Sequence, residues 1–109
     1  TWGEGRGRRY GLSFLNLVEI MIVARLRHYG MSLWQTRKAV EALERHRDIV
    51  LDCSGMVTLV TDGWSYFEVV EGERKLAEIV RSHGNKRLFV IPVDKLGEKI
   101  RGKLLQIQQ

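Results

Sequence analysis

From residue 13 to residue 45 the apolar residues recur at spacings of three and four, and the pattern breaks once, at Gly30. That period marks amphipathic helices, so the break predicts two helices joined by a tight turn. The first is expected over 13–28, with Ser13 as N-cap. Phe14, Leu15, Leu17, Val18, Met21, Ile22 and Leu26 give it an apolar face wide enough for a central position. Arg25, Arg27 and His28 fall in its last turn, where positive charge suits the helix dipole. Gly30 stops it. Ser32 and Gln35 then have the S-x-x-Q spacing of a capping box, which opens a second helix over 33–45. Its inner face reads Leu33, Thr36, Ala39, Val40 and Leu43. Its outer face reads Gln35, Lys38, Glu41 and Arg45.

Downstream the period changes. Residues 57–61 (Val-Thr-Leu-Val-Thr) and 64–70 (Trp-Ser-Tyr-Phe-Glu-Val-Val) are rich in β-branched and aromatic residues. Asp62-Gly63 separates them, which predicts a hairpin with a two-residue turn. Such a hairpin cannot stand alone and must pack on a helix or pair with another strand. Residues 74–83 suit a short helix, with Leu76, Ala77, Ile79 and Val80 apolar, ended by Gly84 and Asn85. Residues 88–91 read as a strand or an extended link limited by Pro92. A last helix is expected over 94–107, carrying Leu96, Ile100, Leu104 and Ile107, with Gly97 and Gly102 weakening it. The fold class expected is α+β.

At 109 residues the chain has room for one domain or two small packed pieces, here 1–47 and 48–109. The charge is divided unevenly between them. Residues 1–47 hold nine Lys/Arg and four Asp/Glu, a net +5, whereas residues 48–109 hold nine of each. Positive charge concentrated on one module is the electrostatic footprint of a polyanion partner. One cysteine, Cys53, excludes an intramolecular disulfide and makes a reducing, cytoplasmic location the expectation. No apolar run approaches the length a membrane helix needs, so no membrane contact is expected.

The segment RRYGLSFLNLVEIMIVARLRHYGMSLWQTRKAVEALE resembles the second half of the DNA-binding domain of MerR-type regulators. Arg9, Tyr10, Ser13, Phe14, Leu17, Val18, Leu26, Gly30, Ser32, Leu33, Arg37, Ala39 and Leu43 carry the likeness. The wording LSFLNLVE, and Thr61-Asp62-Gly63 after the helices, are similar to the helix-turn-helix domain of VapB-like antitoxins. The likeness covers about residues 8–70. It implies a MerR-like helix-turn-helix with a β-hairpin and C-terminal helices, and a homodimer that binds double-stranded DNA. It further implies an antitoxin that blocks a PIN-type ribonuclease toxin and represses its own operon. In MerR-type proteins the main recognition helix precedes the wing. This chain opens inside the wing, on Thr1: either that helix lies upstream, or DNA is not bound in the familiar MerR mode.

Arg6, Arg8 and Arg9 lie in a Gly-rich stretch and suit phosphate contact, or form a solvated tail. Tyr10 suits a phosphate bond through its hydroxyl, or caps the core. Gln35, Arg37 and Lys38 fall at the start of the second helix, where phosphate is readily bound, or form an ordinary charged face. Trp34, Trp64, Tyr66 and Phe67 are candidate partner-binding anchors, with core packing as the alternative. If the DNA contact lies elsewhere, these anchors leave a protein-interaction module that neutralises the toxin or dimerises. His28, His46, His83 and Cys53 lack the close spacing of a zinc site, and neither a metal nor another cofactor is expected. Cys53 reads as a buried thiol or a lone sensor. No nucleophile–base set and no phosphate loop is apparent, so an enzyme is not expected.

Overall fold

The computed structural model describes residues 14–52, 55–84 and 86–108, the last five by backbone alone. Ser13 and Cys53, with the roles expected of them, lie outside the described residues. Within these bounds the chain is α+β, with five helices and a three-stranded antiparallel sheet. Helix α1 spans Phe14–His28, α2 Leu33–Arg45 and α3 Arg47–Asp52. Strands β1 (Val57–Thr61) and β2 (Phe67–Glu71) follow, then α4 (Glu73–Ser82), β3 (Phe89–Pro92) and α5 (Val93–Gln108). None of the described helices is long and apolar enough to cross a membrane.

The sheet order is β2-β1-β3. Leu59 lies opposite Val69 on one side and Ile91 on the other. Of the two readings of residues 88–91, the strand is therefore the one observed. Pro92 sits on a sheet edge, where its missing N–H costs no ladder bond. All five β1 residues are buried, which requires cover on both faces. One face carries Val57, Leu59, Phe67, Val69 and Ile91 into the main core. There α2 packs on β1 and β2, α5 packs on β1, and α1 lies across α2 and α5. On the other face Val60 and Val70 are buried, and α4 packs on β2.

Three expectations need correction. Phe67 is not a surface anchor: it is 8% exposed and belongs to the core. Leu33 is not on the inner face of α2. It is the first helical residue, one position past the cap, and is 65% exposed, whereas Thr36, Ala39, Ala42 and Leu43 are buried. The β1–β2 connection is not a two-residue turn. Residues 62–66 form the loop, because the Asp62 carboxylate accepts from the backbone N–H groups of Trp64 (2.8 Å), Ser65 (3.1 Å) and Tyr66 (3.0 Å). Those groups are thereby withdrawn from the ladder, and β2 starts at Phe67 rather than Trp64. Helix α3, whose six residues are too few to show a period, holds Val50 in the core.

Candidate nucleic-acid interface

Local chemistry builds one end of the molecule. Helix α1 closes with Gly30 N–H donating to Arg27 O and Met31 N–H donating to Leu26 O. This Schellman closure needs a left-handed residue, and Gly30 sits at φ +94. Arg27 Nη1 also donates to Met31 O (3.2 Å), which ties the turn down. The next residues open α2 with a complete capping box: Gln35 N–H donates to Ser32 Oγ (3.2 Å), and Ser32 N–H donates to Gln35 Oε1 (2.7 Å).

Gln35 does a second thing. Its Nε2 donates to Gly63 O in the β1–β2 loop, so the first turn of α2 is pinned to the end of the sheet. Gly63 sits at φ +82, and a Cβ there would lie 3.1 Å from the Phe89 ring. The positive φ favours glycine, and the close ring makes any side chain there tight as well. Tyr29 stacks on Phe89 with ring centroids 5.2 Å apart. The α1–α2 turn, the start of α2, the β1–β2 loop and the start of β3 thus meet at one place.

Exposed aromatic and apolar side chains gather there. Trp64 is 68% exposed and Trp34 54%, with Leu33 and Tyr29 beside them. Trp64 stands on a stiff loop, because its own N–H is one of the three held by Asp62. Lys38 Nζ lies 4.9 Å from the centroid of the Trp34 ring, a cation–π contact on one face.

Exposed cations lie on the same elements. Arg27 and His28 are exposed in the last turn of α1, and Arg37 is exposed in α2. The antiparallel register sets Phe89 opposite Thr61, so exposed Lys86 and Arg87 lead into β3 at the end where β1 runs into its loop. The acidic groups here are engaged. Partial burial pushes the Asp62 carboxyl up, but the N–H groups of Tyr66, Trp64 and Ser65 outweigh it and hold the carboxyl below its usual range. Glu68 accepts from the Tyr66 hydroxyl, and burial together with that carboxylate raises the Tyr66 phenol above its ordinary value.

No family model, curated protein or solved structure matches this chain.

Of the residues expected to bind DNA, Arg37 and Lys38 lie at this end. Arg6, Arg8, Arg9 and Tyr10 fall outside the described residues. Gln35 is half-buried, not on the outer face, and both ends of its amide are engaged, by Ser32 and Gly63. Of the expected anchors, Trp34 and Trp64 are exposed here. Tyr66 is half-buried, its ring 4.7 Å from that of His83. Sequence reasoning missed Tyr29, Leu33, Lys86 and Arg87. Only the pairing of β3 with β1 brings the last two in, and no local pattern announces a contact across so many residues. Among the described residues no three His, Cys, Asp or Glu side chains converge as a metal site would need.

A second feature lies elsewhere. Glu19 is buried in α1 beside a groove of about 380 Å³ that it lines with Asn16, Ile20, Val23 and Val40. Burial pushes its carboxyl up to about 7, helped by the neighbouring Glu44 carboxyl, and its buried Oε2 has no hydrogen-bond partner.

Proposed function

We propose that the chain is a DNA-binding transcriptional regulator that holds the phosphate backbone with this end. The observation that carries the reading is that the elements pinned together at this end bear exposed Arg27, Arg37, Lys86 and Arg87, two exposed tryptophans, and Lys38 over the Trp34 ring. Guanidinium and ammonium groups neutralise phosphates, and fixed backbone lets them do so with little ordering cost. The uneven charge of the chain supports the same reading. The resemblance extends it to a homodimeric antitoxin that represses its own operon, with arginines of residues 6–9 adding backbone contacts.

Binding to mixed-sequence DNA at two salt concentrations tests it. The Arg37→Ala/Arg87→Ala double variant should bind all sequences more weakly. Its log–log salt slope should flatten by about 2, close to one unit for each phosphate no longer neutralised. A slope identical to that of the unaltered chain removes this end from the interface.

A second reading is favoured by one observation. Leu33, Trp34 and Trp64 are exposed large apolar side chains at this end, of the kind that anchor protein partners. In that reading they dock a ribonuclease toxin. A Trp64→Ala chain that loses toxin inhibition while keeping its DNA affinity would favour it over the first.

A further inference from the structure

We propose that Trp34 and Trp64 are stacking platforms for unpaired bases, so that the nucleic acid bound at this end is single-stranded or locally opened. The inference rests on the phosphate contact proposed above, not on its extension to an operon repressor, and names the form of DNA held.

A helix that reads an intact duplex presents hydrogen-bonding side chains to base edges from its first turns. Helix α2 presents Leu33 and Trp34 at its first two positions, and both are exposed. Gln35, the residue there best suited to an adenine edge, is half-buried with its amide held in place by Ser32 and Gly63. What the first turn offers is an indole face, not an edge reader.

The second tryptophan makes the same offer. Trp64 is the most exposed large apolar residue described, yet the loop beneath it is held by the Asp62 fan and by the Gln35 bond to Gly63. A stiff aromatic loses little freedom on stacking. Every base has a π face, but paired bases in a duplex spend theirs on one another. Unpaired bases leave theirs free, and base–aromatic stacking combined with a basic track is how single strands are held. Lys38, already over one face of Trp34, with Arg37, Lys86 and Arg87 exposed on the elements that meet here, supplies that track.

Tryptophan emission reads the contact directly. A Trp2→Phe background leaves Trp34 and Trp64 as the only reporters. A short oligothymidylate and a duplex of equal length are titrated at the same low salt. The single strand should quench the emission and bind at least about tenfold more tightly than the duplex. Trp64→Ala should lower single-strand affinity roughly 5- to 150-fold, with the salt slope unchanged, and Trp64→Phe should restore most of it. Equal binding of both DNAs without quenching, or a Trp64→Ala chain that binds the single strand undiminished, overturns the stacking role and leaves the phosphate-binding role standing. No binding of either DNA overturns both.

Discussion

A carboxyl at position 19 faces the least water of any acidic side chain described, and its chemistry sets a pH response. Burial is the main reason its pKa lies near 7 rather than the ordinary 4.5, and the Glu44 carboxyl beside it pushes the same way. The Asn16 amide and Arg47 oppose both. The folded chain therefore keeps a proton on Glu19 that the unfolded chain releases at lower pH. Between about 4.5 and about 7 the native state binds more protons, so this group's contribution to stability falls as pH rises through that window and is level above it. Glu19→Gln keeps an acceptor for Asn16 and places a neutral amide beside Glu44, with no proton to lose. Relative to the unaltered chain, the variant should gain on the order of 2 kcal/mol between about pH 5 and pH 8. Urea midpoints at the two pH values measure that gain. A variant whose midpoint tracks the parent's at both refutes the account.

Among the elements, the α1–α2 junction shows how far local chemistry reaches. Gly30, Ser32 and Gln35 announce the end of one helix and the start of the next, and the hydrogen bonds follow that announcement residue by residue. Ser32→Ala should cost about 1 kcal/mol through the lost cap. Gln35→Ala should cost more, because it removes the reciprocal arm of the box and also the bond to Gly63. Thermal melts of the two variants rank these effects. A Gln35→Ala chain no less stable than Ser32→Ala would mean that the link to the sheet contributes nothing. The hairpin shows the opposite limit. Asp62-Gly63 signals a reversal correctly, but the strand after it starts three residues late, because Asp62 captures the N–H groups that would have extended the ladder.

At the scale of the whole molecule, one hydrophobic cluster joins both halves of the chain. Leu15, Val18, Ile22, Leu26, Ala39 and Leu43 from the first half meet Val50, Leu59, Val69, Ile91 and Ile100 from the second. A shared core predicts that neither half unfolds alone. Melts followed by circular dichroism and by tryptophan emission should coincide. Leu59→Ala, at the centre of the sheet, should cost about 3 kcal/mol and lower both midpoints together. Two separated transitions would show that residues 1–47 and 48–109 are independent units.

The helices and the central strand were legible because their signals are local. Apolar spacing draws α1, α2 and α5, the cap residues bound α2, and Val-Thr-Leu-Val-Thr marks β1. The α+β class followed from these alone. The site was legible only in part. Trp34, Trp64, Arg37 and Lys38 stand out as residue types, yet nothing near Phe67 in the sequence distinguishes it from Trp64, and tertiary burial made one a core residue and left the other in solvent. The use of Gln35, the stacking of Tyr29 on Phe89 and the arrival of Lys86 and Arg87 at the same end all depend on how the sheet assembles against the helices. Caps and periods are decided within a few residues, where chain geometry leaves few choices. Long-range pairing is decided by which faces must leave water together, and that is a property of the assembled core.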